Sequence, residues 1–187
     1  KEYAYYRQMM ADPLEIGQTF STLYQQWAWG EGKKNFPKEL FADGVSKHAY
    51  FKHAAAQKLI NITPQAVESI PAIETSVKSE LPALASIRPH AIITTNFDRF
   101  LEIVFPDYTP IVGQKIISNN QLLYGEIFKV HGCVSEPSGM ILTKSDFDAF
   151  LKKQKYLVAK MLTYFIEHPI IFLGYSVSDP NIKEILF

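Results

Sequence analysis

The chain has 187 residues, 47% of them hydrophobic and 13% aromatic, which is enough for one folded domain, or one domain with a small additional lobe. Its 19 Lys and Arg residues balance its 19 Asp and Glu residues, so it lacks the basic character typical of nucleic-acid binding, and we expect this segment to bind no nucleic acid directly. The single cysteine, Cys133, excludes an internal disulfide and a Cys-x-x-Cys zinc site, so we expect a cytoplasmic protein without a metal ion. No apolar stretch is long enough to span a bilayer, so we expect no membrane contact.

The first half of the chain is predicted to be helical. Asp12 can cap a helix whose first residue is Pro13, and Glu15 completes a capping box. Helical patterns interrupted by prolines continue to about residue 87, and no strong strand pattern occurs among them. We therefore predict a helical lobe over residues 12–87, which packs over the strand ends of a sheet formed by the rest of the chain.

The second half, residues 88–187, alternates strand and helix patterns, which predicts a Rossmann-like parallel sheet flanked by helices. Short apolar runs rich in β-branched residues predict central strands at 91–94, 127–131 and 170–174. Shorter strands are expected at 108–112 and 140–143. The predicted fold class is therefore α/β, with the helical lobe inserted early in the sheet domain.

The strand predicted at 91–94 ends in polar residues that open a helix. Ligands of parallel sheets bind beyond the carboxyl ends of the strands, so Thr94, Thr95, Asn96 and Asp98 are candidates for chemistry. The same residues have a structural alternative, in which Thr95 or Asn96 is the helix N-cap and Asp98 is a first-turn acid that suits the helix dipole. The local sequence leaves both alternatives open.

Two further predicted strands also end in distinctive residues. One ends at His131 and Gly132, and the last one is followed by Tyr175 and Ser176. His131 can move a proton near neutral pH, and a glycine allows a ligand to approach the backbone closely. Because the carboxyl ends of parallel strands meet at one edge of a sheet, we expect the three polar clusters to converge there.

These motifs resemble those of the sirtuins. Thr-Thr-Asn-Phe-Asp at 94–98, followed by His-Gly at 131–132, is similar to the sirtuin pattern Thr-Gln-Asn-Ile-Asp followed by His-Gly. The fuller resemblance is to the sirtuin-like domains of bacterial antiphage defence proteins. Those domains similarly carry Pro-Leu-Glu in an early helix, here 13–15, and end in Gly-Tyr-Ser-x-x-Asp-Pro-Asn, here 174–181. The motifs occur in the same order over most of the chain.

The resemblance implies a Rossmann-like fold that binds NAD and, for the defence members, hydrolysis of NAD as the substrate to nicotinamide and ADP-ribose. Carried over, Asn96 orients the attacking water or the nicotinamide ribose, and His131 is the general base, with no metal required. Asp98 then lines the nicotinamide pocket, and Ser176 lies near the bound nucleotide. The residues implied in nucleotide binding are Thr94, Thr95, Phe97, Asp98, Gly132, Gly174, Tyr175 and Ser176.

The chain departs from the sirtuin pattern at several points. Thr95 and Phe97 replace the Gln and Ile of the deacetylase motif, and the zinc-ribbon cysteines of sirtuin deacetylases are absent, which weighs against protein deacetylation. The family's Gly-rich loop, which holds the pyrophosphate after the first strand, is also absent from this sequence. We therefore expect residues 1–187 to be a single sirtuin-like domain whose first strand and Gly-rich loop lie upstream, in a longer protein. The alternative is that the loop has been lost and the nucleotide site is degraded.

Three functions remain open at this point. The first is an NAD hydrolase that acts in antiphage defence by depleting NAD, and the resemblance implies that it is a homo-oligomer, assembled through this or adjacent domains. Such an effector responds to a phage-derived trigger or to a partner defence protein. The second is an NAD-dependent lysine deacylase, against which the missing zinc cysteines argue. The third is a non-catalytic nucleotide-binding or oligomerisation module, against which Asn96 and His131 argue.

Overall fold

A computed structural model of the chain describes residues 3–70, 75–113, 125–153, 155–175 and 183. The helices in these ranges are α1 (Tyr3–Met9), α2 (Pro13–Trp29), α3 (Ala49–Ile62), α4 (Thr75–Ser86), α5 (Phe100–Val104), α6 (Lys144–Lys153) and α7 (Lys155–Glu167). The strands are β1 (Ala91–Thr94), β2 (Thr109–Val112) and β3 (Glu126–Lys129). Short 3₁₀ helices occupy Lys33–Asn35, Lys38–Phe41, Val67–Ser69 and Pro137–Gly139. None of the helices within the described ranges has the length and apolar character needed to cross a bilayer.

The strands form one parallel sheet in the order β1-β3-β2. Strand β1 pairs with β3 from Ala91 opposite Glu126 to Thr94 opposite Lys129, and β2 pairs with the other edge of β3 along the same four residues. The predicted parallel sheet and these three predicted strands are confirmed, with shifts of one or two residues at their ends. The carboxyl ends of the strands therefore lie along one edge, as expected for an α/β protein.

Two predicted strands are wrong. Residues 140–143 are not a strand: the N–H of Ile141 donates to the carbonyl of His131 at 2.8 Å, but the N–H of Met140 donates to Pro137 and the carbonyl of Thr143 accepts from the start of α6. Residues 170–174 have no strand structure either, and the side chains of 170–173 are between 39% and 70% exposed. An apolar run becomes a buried strand only where neighbouring strands and covering helices supply its hydrogen bonds and contacts. No strand of the described sheet pairs with residues 170–174, and residues 170–173 stay exposed.

Helices cover both faces of the sheet, and the alternation of side chains along β3 explains how. Phe128 packs with Phe150 of α6 and Met161 of α7 on one face, whereas Ile127 packs with Leu81 of α4 on the other. Both strand residues are at most 1% exposed, as is typical of a central parallel strand. Helix α4 is thus part of the layer on the sheet, although it falls within the helical region predicted over residues 12–87.

Helix α3 lies against the carboxyl edge of the sheet, and α2 packs on α3 and α6. Helix α2 begins as the sequence predicts, because the carboxylate of Asp12 accepts the backbone N–H two residues later at 2.9 Å. Helix α3 contributes Ala56 to a hydrophobic cluster that includes residues from the ends of β1, β2 and β3, namely Phe97, Val112 and Val134. Packing of α3 at this position encloses the edge at which we expect the site residues.

Candidate active site

The loop after β1 presents Asn96 to solvent. Helix α5 begins at Phe100, and the N–H of that residue donates to the carboxylate of Asp98 at 2.9 Å. Neither Thr95 nor Asn96 caps the helix, so the structural alternative considered for these two residues is wrong. The backbone N–H of Asn96 donates to Oγ1 of Thr94 at 3.1 Å, and the residue itself is exposed. Asp98 therefore supports the helix start, and Asn96 does not.

The chain after β3 holds this loop through its backbone. The N–H groups of Val130 and Val134 donate to the carbonyls of Thr94 and Phe97 at 3.0 and 2.9 Å, respectively. These bonds continue the pairing of β1 and β3 beyond the last residues of the two strands. The Thr-Thr-Asn-Phe-Asp and His-Gly motifs are therefore brought together at one edge of the sheet, as the sequence predicts.

The two residues predicted to be catalytic occupy equivalent positions but differ in exposure. Asn96 follows the last residue of β1 by two positions, His131 follows the last residue of β3 by two positions, and those last residues are paired. Asn96 is exposed, whereas His131 is only 4% exposed. The rings of Phe147 and Phe150 contact the imidazole edge-on, with centroid distances of 5.2 and 5.9 Å. The imidazole is thus shielded from bulk solvent, and the carboxamide is not.

The two glycines predicted to admit a ligand have different surroundings. Both have positive φ angles, 96° at Gly132 and 60° at Gly174, which glycine adopts at little cost. A Cβ added to Gly132 would lie 2.7 Å from the carbonyl oxygen of Gly139 and 2.8 Å from the Cα of Met140. The close approach at Gly132 is therefore made by the chain's own backbone. A Cβ added to Gly174 would meet nothing within 4 Å.

The third polar cluster follows the exposed segment 170–173, which is not a strand. Tyr175 is partly buried, its ring is stacked on that of Phe172 at a centroid distance of 6.2 Å, and it packs against the core cluster that contains Phe128. Ser176 lies outside the described residues. The structure thus joins the motifs that follow β1 and β3, and a nucleotide-binding role for Gly174, Tyr175 and Ser176 stays a prediction.

Sequence reasoning assigned no role to a buried ion pair at this edge. The side chain of Lys129 is 0% exposed, and that of Glu102 on α5 is 10% exposed. The ammonium of Lys129 donates to both carboxylate oxygens of Glu102, at 3.3 and 3.4 Å, and to the carbonyl of Asp98. The signal in the sequence was a lysine within the apolar run 127–130, because lysine is almost never fully buried unless it is paired.

A second buried ion pair joins α3 to α6. The ammonium of Lys52 donates to the carboxylate of Asp146 at 2.7 Å and to the carbonyl of Ser138 at 3.3 Å. Burial by itself raises the pKa of Asp146, but the hydrogen bond and charge of Lys52, together with hydrogen bonds from Thr143, outweigh burial and hold that pKa below its ordinary value. Helix α3 is thereby tied electrostatically to the segment that follows His131.

The family model of the SIR2-like domain matches residues 90–187, which is more than half of the 187-residue chain. The chain belongs to the SIR2-like family. The resemblance inferred from the motifs is therefore confirmed. The matched span contains β1, β2, β3 and every predicted site residue, whereas α2 and α3 precede it.

Several curated proteins similar to this SIR2-like chain have the same name, NAD(+) hydrolase ThsA. The protein of Bacillus cereus (strain MSX-D12) is 27% identical over 108 residues, which are 55% of this chain and 23% of the relative. That of Acinetobacter baumannii (strain 532279) is 29% identical over 98 residues, 50% of this chain and 20% of the relative. That of Enterococcus faecium is 25% identical over 123 residues, 60% of this chain and 25% of the relative. The chain thus spans no more than a quarter of the length of these relatives.

The edge of the sheet in this SIR2-like chain combines two complementary groups. The carboxamide of Asn96 can donate and accept hydrogen bonds, and the neutral imidazole of His131 can accept a proton. In the part of the chain that the structure describes, no three His, Cys, Asp or Glu side chains are grouped so that they could hold a metal ion. A hydrogen-bonding amide and a shielded proton acceptor at one edge of a sheet are groups that can serve the addition of water to an electrophilic carbon.

Proposed function

We propose that the protein containing this chain is an NAD hydrolase, which cleaves NAD to nicotinamide and ADP-ribose. The observation that carries the proposal is the position of Asn96. This residue is exposed beyond the carboxyl end of β1, takes no part in capping α5, and lies on a loop that is hydrogen-bonded to the segment carrying His131. Ligands of parallel sheets bind at this edge, so such a side chain can serve a substrate. The name NAD(+) hydrolase shared by the relatives supports the same substrate.

The proposed chemistry breaks the bond between the nicotinamide nitrogen and C1′ of its ribose. As that bond breaks, C1′ develops oxocarbenium character, and the electron pair of the bond leaves with nicotinamide, which becomes a neutral base. The oxygen of a water molecule then bonds to C1′ and loses one proton. The products are nicotinamide, ADP-ribose and a proton, so the reaction as proposed requires no metal and no redox partner.

In this proposal Asn96 and His131 have distinct roles. The carboxamide of Asn96 orients the attacking water or the hydroxyls of the nicotinamide ribose. His131 accepts the proton of the water as general base, a role that typically supplies about 10²–10⁴-fold in rate. Because the rings of Phe147 and Phe150 contact the imidazole, we expect the proton that it accepts to come from the attacking water and not from bulk solvent. The proposed nucleotide-contacting residues remain Thr94, Thr95, Phe97, Asp98, Gly132, Gly174, Tyr175 and Ser176.

The proposed biological role is NAD depletion in antiphage defence. This role follows from the family resemblance, as do cytoplasmic location, homo-oligomeric assembly and activation by a phage-derived trigger or a partner defence protein. Depletion of NAD stops the metabolism of the infected cell, so an effector of this kind is expected to be weakly active until triggered. Expression of the full-length protein with and without phage infection, followed by measurement of cellular NAD, tests this role; an NAD level unaffected by infection contradicts it.

The activity is tested on the full-length protein that contains this chain. Purified, activated protein is incubated with NAD, and the release of nicotinamide is followed by chromatography with and without an acyl-lysine peptide. We expect release without the peptide. Release that depends on the peptide would instead establish a lysine deacylase, and binding of NAD without any release would establish a non-catalytic nucleotide-binding module.

The role of Asn96 is tested by two asparagine substitutions with opposite expected effects. Asn96→Ala should reduce turnover by about 10²–10³-fold, the usual consequence of removing one oriented polar group from an active site, with little change in thermal stability. Asn35→Ala is the matched control, because the Asn35 carboxamide donates to the carbonyl of Gly32 at 3.1 Å in the helical lobe. It should lower stability slightly and preserve turnover. Near-normal turnover in a folded Asn96→Ala protein rejects the catalytic assignment.

A further inference from the structure

Lys129 connects the two motifs of the candidate site. It is the last residue of β3, two positions before His131, and its ammonium donates to the carbonyl of Asp98 in the loop after β1. The same ammonium donates to both carboxylate oxygens of Glu102 at 3.3 and 3.4 Å. Both of these partners lie on the segment that carries Asn96. A single side chain at the end of β3 thus contacts both the Thr-Thr-Asn-Phe-Asp motif, at Asp98, and the helix that follows this motif, at Glu102.

The burial of this pair indicates that it does more than add stability. The side chains of Lys129 and Glu102 are 0% and 10% exposed, so both charges have been removed from water. Desolvation cancels much or all of the attraction within such a pair, which makes a buried ion pair weak evidence for stability. What the pair does impose is geometry, because a buried ammonium with two fixed acceptors allows the backbone that carries those acceptors little movement.

The backbone that Lys129 contacts belongs to an irregular stretch of the chain. Residues 95–99 lie between the end of β1 and the start of α5 at Phe100, so they belong to neither a strand nor a helix. Among the contacts from the β3 side, the backbone N–H groups of Val130 and Val134 fix the carbonyls before and within this stretch. The contact from Lys129 is a hydrogen bond donated by a side chain, and a substitution can therefore remove it.

We propose that Lys129 is a positioning residue for the NAD hydrolysis proposed above, on which this inference rests. It holds the carbonyl of Asp98 and the carboxylate of Glu102, and thereby keeps the loop after β1 in the conformation that directs the Asn96 carboxamide toward the substrate. Lys129 does not contact the substrate in this arrangement, because its ammonium is fully occupied within the protein interior. Its loss should misplace Asn96 without removing it.

Strand β3 carries a comparable ion pair at its other end, which serves as a matched control. The carboxylate of Glu126, the first residue of β3, is 3% exposed, lies 3.2 Å from the ammonium of Lys160, and accepts the hydroxyl of Tyr164 at 2.9 Å. Those partners are on α7, at the end of the strand away from Asn96. The two pairs therefore share the strand and the degree of carboxylate burial, and differ in whether they contact the candidate site.

The first experiment compares Lys129→Met with Lys160→Met in the full-length protein. Methionine keeps the length of the lysine side chain and removes its charge and donors. Both variants should show a lowered Tm. Only Lys129→Met should lower kcat, by about 10²-fold, as expected for a misplaced catalytic group. The KM of Lys129→Met should stay within about threefold of the wild-type value. An equal loss of kcat in Lys160→Met would overturn the proposal, because general destabilisation would then explain both results.

A double variant separates positioning from stability, and it covers the case in which Lys129→Met fails to fold. Lys129→Met leaves the Glu102 carboxylate without its lysine, and the additional change Glu102→Gln removes that buried charge. The double variant should recover much of the lost Tm while kcat stays low, because the carbonyl of Asp98 still lacks its donor. Recovery of kcat together with Tm would overturn the proposal.

Amide hydrogen exchange tests the positioning without relying on turnover. The amides of residues 95–99 should exchange at least tenfold faster in the double variant than in the wild type, and at the wild-type rate in Lys160→Met. Unchanged exchange in the double variant would overturn the proposal. If the activated wild-type protein releases no nicotinamide, the proposed function fails, and the exchange rates alone then decide whether Lys129 holds the loop.

Discussion

Two runs of the chain combine isoleucine and phenylalanine with a glycine near their end: residues 126–132, which are strand β3 and the turn after it, and residues 170–175. In the first run Ile127 and Phe128 are at most 1% exposed. In the second, Ile171 and Phe172 are 70% and 46% exposed. The segment that contains Glu126, Lys129 and His131 is the most buried part of the sheet, whereas the segment whose residues 170–173 are all apolar lies on the surface of the described structure.

The difference lies in the neighbours of each segment. Strand β3 is paired with β1 and β2 on its two edges and is covered by helices on both faces, so every side chain of the strand is buried. Residues 170–174 pair with no strand in the described ranges. Burial of an apolar run is thus a property of its surroundings. Chemistry that depends on a fixed side chain is better supported after β3 than after residue 174.

The largest expected effect is on stability and compares two phenylalanines. Phe128→Ala should lower the free energy of unfolding by about 3–5 kcal/mol, because it empties the centre of a core cluster. Phe172→Ala, at a side chain that is 46% exposed, should cost less than about 1 kcal/mol. Urea unfolding of the two variants of the full-length protein measures the difference. Equal losses would show that residues 170–174 are buried as firmly as β3.

The second prediction concerns the histidine that follows β3. His131→Gln should reduce NAD turnover by about 10²–10⁴-fold, because an amide is of similar size but cannot act as the proton acceptor. His53→Gln is a suitable control, since His53 also lies beside an aromatic ring, that of Phe36 at a centroid distance of 6.0 Å, but in the helical lobe. Nicotinamide release should be preserved in the control. Full turnover by a folded His131→Gln protein would exclude His131 as the base.

The third prediction compares the two glycines. Both have a positive φ, so replacement by alanine strains the backbone at each by about 1–2 kcal/mol. Only at Gly132 would the new Cβ also collide with backbone, that of Gly139 and Met140. Gly132→Ala should therefore lower the free energy of unfolding by more than Gly174→Ala does, and should also lower turnover by displacing the segment that carries His131. A Gly174→Ala variant that is the less stable of the two would contradict the structure.

Local patterns predicted the elements that local physics determines. The helix start at Asp12, the three paired strands and the meeting of the first two motifs follow from capping, apolar runs and parallel connectivity. Residues 170–174 were assigned wrongly because their apolar composition says nothing about which strand lies beside them. The helix-capping alternative for Asn96 failed because α5 starts later than its apolar spacing indicates, at Phe100.

The buried ion pairs were missed for a related reason. The partners Lys129 and Glu102, and likewise Lys52 and Asp146, are far apart in the sequence, and no pattern links them before the fold is known. Only the unusual position of Lys129 within an apolar strand signalled that it needs a partner. Sequence thus indicates that a charge is buried, and the tertiary structure identifies what neutralises it.

The smallest expected effect is a pH dependence of the contact that supports the segment after β3. The pKa of Asp146 is below its ordinary value of 3.8 because Lys52 and Thr143 outweigh the opposing effect of burial. A carboxyl group whose pKa is lower in the folded protein stabilises it fully above the unfolded pKa, and this stabilisation is lost as pH falls through the folded value. The free energy of unfolding should therefore decrease more steeply below about pH 4 in the wild type than in Asp146→Asn.

Asp148→Asn, at an exposed position of α6, is the control and should keep the wild-type slope. The pKa of nearby His48 is also lowered, mainly by its burial, and the charge of Asp146 opposes this shift, so Asp146→Asn should lower the pKa of His48 further. Identical slopes in the two variants would show that Lys52 does not lower the pKa of Asp146.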